Sequence, residues 1–206
     1  MDFEKDTWNT GDVTTFDINQ SLDFPDHAAI VRVDQSLCTH SDLIVTGGVA
    51  RTGSILNWTF GIQFQEEGGN LIASMSLSDS GMLLPGGRFM HQACVVQTDS
   101  GEPRLLVFGG KEGNLLTDDC KYSNSTIGVD LKSAYATGSG STGWKQLAPM
   151  KSARANFAQL VLDNCVYAFG GISGKGAAPA AHTPALSTII AEKYSPSADA
   201  WEAIEV

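Results

Sequence analysis

The chain has 206 residues, 42% of them hydrophobic and 17% charged, with a formal net charge of -10. That length and balance suit one folded domain of roughly 100 to 200 residues, and no apolar run reaches the ~18 residues that a membrane-spanning helix needs. The N-terminus, MDFEKDTWNT, is unlike a cleavable signal or an Arg-rich transit peptide, and the acidic surplus disfavours nucleic acid and anionic lipid as partners.

Along the chain the main signal is a repeat. Residues 1–23 read as an outer strand and linker, because Asp6-Thr7-Trp8 copies the Asp199-Ala200-Trp201 pattern near the C-terminus. Apolar stretches at 28–33 (AAIVRV) and 43–48 (LIVTGG) then predict a hairpin that ends on a glycine pair. The following ILNWTFGIQF, at 55–64, is strand-like. The hairpin recurs at 92–97 (QACVVQ) with 105–110 (LLVFGG), and at 157–162 (FAQLVL) with 166–171 (VYAFGG), so the glycine pairs stand 62 and 61 residues apart. In the third copy Asp163-Asn164 joins the two halves, a pair suited to the positive φ of a tight primed turn.

Downstream, Cys120-Lys121-Tyr122-Ser123 aligns with Glu192-Lys193-Tyr194-Ser195, and each leads to a strand opened by Trp144 or Trp201. Upstream, Arg88 and Arg154 stand three positions before His91 and Phe157, with His27 in the same register and Phe24 where the arginine would be in copy one. Residues 123–142, rich in Ser, Gly and Thr, and 173–187, rich in Ala, Pro and Gly, read as loop insertions. Four short strands per unit, with glycine at the turns, indicate an all-β chain of radially set sheets rather than βαβ units. The doublets Gly47-Gly48, Gly109-Gly110 and Gly170-Gly171 are read as architectural, in crowded turns that a residue without Cβ tolerates. Trp144 and Trp201 are read as core, covering gaps between twisted neighbouring sheets.

With these doublets, tyrosines and tryptophans the chain resembles the kelch repeat, most closely the Kelch-like adaptor type over Trp144 to Trp201. The resemblance implies a partial kelch-type β-propeller in one segment, 1–206, with about three four-stranded blades near 24–84, 85–150 and 151–206 plus the extra outer strand in 1–23. Propellers typically close with ~4 to 8 blades. Such an arc is expected to be completed by further repeats or by self-association.

Sharper chemical readings fit less well. The segment from Thr46 to Gly53 looks like a dinucleotide-binding turn, but a strand-like stretch follows it where a helix is required. Gly170 to Gly176 hints at a phosphate loop, yet Phe169 stands five positions before Gly174, and Gly176 replaces the Ser or Thr that holds magnesium. His27 and His91 read as repeat packing, and the pairs Glu66-Glu67 and Asp118-Asp119 as solvated turns. Cys94 and Cys165 read as small core residues, while Cys120 has Lys121 beside it to favour a thiolate.

The function expected is a non-catalytic protein-protein interaction module, a scaffold or adaptor segment that binds a protein partner through its loops, with no cofactor and no metal. By resemblance, partner-facing positions follow the doublet or lie two after the first-strand arginine; Lys111 and Asn156 are the polar ones, and Arg51 and Lys175 lie close behind. The alternative is a kelch-type propeller enzyme acting on sugars, of the oxidase or sialic acid epimerase type. Four cysteines at wide spacing, Cys38, Cys94, Cys120 and Cys165, suit a reducing, cytoplasmic location. Two Asn-x-Thr sequons, at Asn57 and Asn124, are the features that would fit an extracellular one.

Overall fold

A computed structural model describes residues 25–34, 41–77, 83–115, 119–136, 143–173, 185–186 and 191–204. The outer strand expected around Trp8, the 1–23 linker and Lys175 lie outside the described residues. The fold is all-β, with one short helix, and its main elements are three four-stranded antiparallel sheets. In the first sheet β1 (Ala29–Arg32), β2 (Leu43–Thr46), β3 (Thr59–Glu67) and β4 (Asn70–Leu77) lie side by side in chain order.

The second region begins with β5 (Arg88–Phe89), β6 (Gln92–Gln97) and β7 (Pro103–Phe108). It continues through β8 (Lys111–Asn114), β9 (Asp119–Tyr122), β10 (Thr126–Asp130), α1 (Leu131–Ala136) and β11 (Lys145–Leu147). Here the main sheet runs β6-β7-β10-β11, and β5, β8 and β9 form a small side sheet. The third sheet holds β12 (Ala158–Leu162), β13 (Cys165–Phe169), β16 (Ala191–Ser195) and β17 (Ala200–Ile204), with β14 (Ile172–Ser173) and β15 (Ala185–Leu186) paired beside it.

All three predicted hairpins are present as paired strands. The tight turn between β12 and β13 has the positive φ that Asp163 and Asn164 supply, 49° and 59°. β1 lies beside β6, and β6 beside β12 and β13, so the first strands of the three sheets are neighbours. Val31, Val33 and Ile44 of the first sheet pack against Ala93, Leu105 and Val107 of the second. On the other face Cys94, Leu106 and Phe108 pack against Val166, Ala168 and Trp201 of the third. The second sheet is thus apolar on both faces, which is why its strands read as apolar runs rather than alternating ones. Leu105, Leu106, Val107 and Phe108 are fully buried, each a gain of roughly 1.5–3 kcal/mol over exposure.

Two alignments need correction. The third strand of the second sheet is β10, not Cys120 to Ser123, and much of the expected 123–142 loop is β10 and α1. Leu105 pairs with Val129 where Val166 pairs with Tyr194, so Val129 is the counterpart of Tyr194 and Ile127 that of Glu192. Cys120 and Tyr122 sit in the side sheet. Copy one is also displaced by one residue. Ala29, Gln92 and Ala158 are the residues paired with the position just before each doublet, which makes Ala28 the counterpart of His91 and Phe157. His27 instead matches Met90 and Asn156, and all three share a left-handed backbone with φ of 57°, 54° and 52°. Pro25, not Phe24, therefore occupies the arginine position.

The joint between sheets is built on the first glycine of each doublet. Gly47 and Gly109 have φ of 60° and 66°, and a Cβ there would stand 2.7 Å from the His91 ring or the Phe157 ring of the next sheet. Gly170 shares the conformation, φ 63°, but nothing lies within 4 Å of its Cβ position, so the crowding expected at Gly170 is absent. An alanine at Gly170 meets only the left-handed backbone penalty, about 1–2 kcal/mol. In urea denaturation Gly109→Ala is therefore expected to destabilise the fold clearly more than Gly170→Ala; equal losses would contradict the packing of Phe157 on Gly109.

Candidate interaction face

Beyond each doublet the chain makes the same move. Val49 bridges Asp26 with backbone hydrogen bonds of 2.8 and 2.9 Å, Lys111 pairs with Phe89 in the side sheet, and Ile172 bridges Ala155 with bonds of 2.9 and 3.0 Å. The left-handed residues follow, and they are tied sideways: Met90 N donates to His27 O at 3.0 Å and Asn156 N to Met90 O at 2.9 Å. Gly48 N donates to Arg88 O and Gly110 N to Arg154 O, both at 2.8 Å. The loops of three sheets are thereby fixed beside one another at one end, by backbone bonds that different side chains share.

At this end stand three of the four residues singled out from sequence. Asn156 is exposed, and so is Arg51, in the turn between Val49 and Ile55. Lys111 is half-buried with its ammonium 4.6 Å from the centroid of the Tyr122 ring, a contact of about 0.5–1 kcal/mol that holds the cation in place. His27 is exposed at the same end, a position that its assignment to strand packing concealed.

Beneath the loops lie charges that sequence reasoning missed. Arg154 and Glu192 are both fully buried and meet at 2.6 Å. Glu192 also accepts from Lys151 N at 2.6 Å and Ser152 N at 3.1 Å, while Arg154 donates to Gly170 O at 2.8 Å. Removing one partner of such a pair costs about 3–5 kcal/mol, because the other is left buried and uncompensated. In the side sheet Arg88 of β5 meets its cross-strand partner Glu112 at 3.0 Å and donates to Ser125 Oγ at 3.1 Å. Its acid comes from the side strand β8, so the two arginines are matched by carboxylates from different strands. Burial lowers the Arg88 pKa, and Glu112 opposes that shift.

The other displaced ionisations also belong to the packing between or within sheets. His91 is buried, shares a 2.8 Å hydrogen bond with Thr46 Oγ1, and is pushed down to about 3 by burial and then by Arg88. Burial raises Cys94, and burial with the Asp199 hydrogen bond raises Tyr194, whose hydroxyl donates to Asp199 at 2.8 Å. Asp130 is lowered chiefly by its hydrogen bond from Arg104, 2.7 Å away. Cys94 and Cys165 are free thiols. Among the described residues no helix is long and apolar enough to cross a membrane. Of the sequon residues, Asn124 donates its side-chain amide to Met150 O at 2.9 Å.

No family model matches the chain, and no curated protein matches it in sequence. Among solved structures it is similar to a chain in a cryo-EM structure of RAG in complex with one melted and one unmelted RSS, with a TM-score of 0.58 and 13% identity, covering 82% of this chain and 53% of that one. It is similar also to the structure of YjhT, with a TM-score of 0.57 and 12% identity, covering 87% of this chain and 51% of the other. The likeness is one of fold. The chain spans about half the length of these two solved chains.

The His91 environment gives a pH test. Its folded pKa, about 3, lies below the ~6.5 of an unfolded histidine, so the unfolded chain takes up the proton first. The stability tied to neutral His91 is whole above pH ~6.5 and declines toward pH ~3, by about 1.4 kcal/mol per pH unit. His91→Phe, the residue that copy three carries here, is expected to flatten the loss of stability between pH 6 and 4 by roughly that slope. An unchanged slope would mean that His91 is not held neutral.

Proposed function

We propose that the chain is a kelch-type β-propeller segment acting as a non-catalytic protein-binding module in the cytoplasm, with its partner seated on the end that carries the three doublet loops. The observation that carries this reading is a division of labour. At equivalent places the backbone bonds repeat, yet the side chains differ: His27, Met90 and Asn156 in one set, Val49, Lys111 and Ile172 in the other. A constant frame with variable loops is what recognition uses, and loops on a rigid scaffold are where binding residues concentrate.

Two further points support it. Groups with displaced pKa are candidates for chemistry when they face a cleft, whereas Arg88, His91, Cys94 and Tyr194 are displaced mainly by burial in the packing. Three four-stranded antiparallel sheets whose first strands are neighbours agree with a radial arrangement. On this reading Arg51 and Lys111 supply positive charge on a chain of net charge -10, which steers an acidic partner and fixes its register. Lys175 belongs to the same proposed set by its place after the third doublet.

The test compares the native chain with Arg51→Glu/Lys111→Glu/Asn156→Asp in quantitative affinity capture. The triple variant is expected to keep its melting transition and to lose the captured proteins at least about tenfold, the equivalent of 1.4 kcal/mol. Identical capture by both forms, or turnover of a sugar substrate by the purified protein, would contradict the reading.

A further inference from the structure

All three sheets end their second strand on a left-handed glycine, at φ 60°, 66° and 63°, but only two of these turns are filled. Gly47 and Gly109 receive the His91 and Phe157 rings, while Gly48 N and Gly110 N donate to Arg88 O and Arg154 O at 2.8 Å. These four glycines are buried, whereas Gly170 and Gly171 are half-buried. Nothing lies within 4 Å of the Gly170 Cβ position, and among the described residues Gly171 N has no acceptor. The face beside them is apolar. Leu160 is 52% exposed and Phe169 40%, with Phe169 stacked on Tyr167 at 6.3 Å between centroids. By strand register their counterparts are Cys94 and Phe108, which are 3% and 0% exposed in the packing against the third sheet.

We propose that this turn and face form a socket for a protein partner, which lays an aromatic side chain on Gly170 and offers a backbone carbonyl to Gly171 N. The anchor rests on the protein-binding reading given under Proposed function. The two filled turns show what fits. In each, the carbonyl and the ring come from residues three apart, Arg88 with His91 and Arg154 with Phe157. The residue before the ring is left-handed, Met90 at φ 54° and Asn156 at 52°. The partner's element is therefore a turn with an aromatic residue three places after the accepting carbonyl, preceded by a residue that tolerates positive φ, such as Gly or Asn. A second copy of this chain does not supply it. Its segments from Arg88 and from Arg154 are already used, and the matching segment from Pro25 ends in Ala28, without a ring.

The residue ahead of each first glycine selects the ring. Thr46 precedes Gly47, and its hydroxyl shares a 2.8 Å hydrogen bond with His91. Phe108 precedes Gly109, and its ring centroid lies 5.8 Å from that of Phe157. Phe169 precedes Gly170, so the third socket has an apolar wall at the place of Thr46 and takes Phe in preference to His, whose ring nitrogens would be buried without a partner. A ring enclosed in this way is the kind of buried aromatic anchor that carries much of the energy of an interface.

Titration of the isotope-labelled chain with a peptide of its own residues 151–159, KSARANFAQ, tests the proposal by NMR. The peptide carries the segment that fills the second socket, and saturable shifts are expected at the Gly170 and Gly171 amides. Phe157→Ala in the peptide and Gly170→Ala in the protein are each expected to weaken binding by about tenfold or more. The first removes the ring and the second puts a Cβ in its place, with the far-UV circular dichroism unchanged. Phe169→Thr leaves the glycine intact and is expected to reverse the preference, binding a Phe157→His peptide better than the native one, as Thr46 takes His91. No saturable shift, or equal binding of the Phe and Ala peptides, overturns the proposal. So does binding that Gly170→Ala leaves intact, and so does a preference that Phe169→Thr does not reverse. A native chain that sediments as a dimer and excludes the peptide has a second copy on the socket, which also overturns it. The peptide is basic and brings no acid to Arg51 or Lys111, so failure of the loops in affinity capture is measured apart from failure of the socket.

Discussion

The contact on which the rest depends is the joint between consecutive sheets. A left-handed glycine ends the second strand of one sheet, a ring from the next sheet lies on it, and the following glycine donates its N–H to the carbonyl of the arginine that precedes the first strand of the next sheet. Each half of the contact needs the other. The ring can approach only because there is no Cβ, and the N–H points outward only because the glycine turns the chain to positive φ. With the joint in place, both faces of the second sheet are excluded from water, and the tryptophans follow. Trp201 packs its ring 5.4 Å from that of Phe108 and donates to Thr126 Oγ1 of the second sheet at 3.0 Å.

The buried charges are a consequence of the same joint. An arginine that offers its backbone carbonyl to the glycine of the preceding sheet has its side chain directed inward, where it must find an acid. Arg154, just ahead of β12, finds Glu192 on the third sheet, and Arg88 finds its cross-strand partner Glu112 in the side sheet, half exposed. In copy one Pro25 stands in that place and needs no acid. At Arg88 and Arg154 the joint uses the backbone carbonyl, and the side-chain charge is balanced separately in each copy. Loops outside the joint are released from these constraints, and their side chains differ from copy to copy.

Much of this frame was legible in sequence. The six hairpin strands, the doublets and the Asp163-Asn164 turn follow from apolar runs, glycine and turn chemistry, each a local property. Strand β10 was hidden because Thr126-Ile127-Gly128-Val129-Asp130 is bordered by Ser and Asn and contains a glycine, a composition typical of loops. The glycine there is a packing residue: a Cβ at Gly128 would stand 2.8 Å from the Leu147 side chain. Periodicity cannot separate such a short strand from a loop. The one-residue slip in copy one arose from matching a histidine to a histidine, when the shared property of His27, Met90 and Asn156 is a backbone angle that three different side chains adopt. The partners of Arg88 and Arg154 were out of reach for a related reason, since Glu112 and Glu192 arrive from different strands.

The claim that the joint binds the sheets into one cooperative body is tested most directly by native-state hydrogen exchange at Gly48 and Gly110. Both amides donate across a joint, to Arg88 O and Arg154 O at 2.8 Å. The account predicts that they exchange only through global opening, with the same protection as the amides of Leu106 and Val107 in the core of the second sheet. Exchange at loop-like rates while Leu106 and Val107 stay protected would show that the sheets open independently and that the joint does not hold them together.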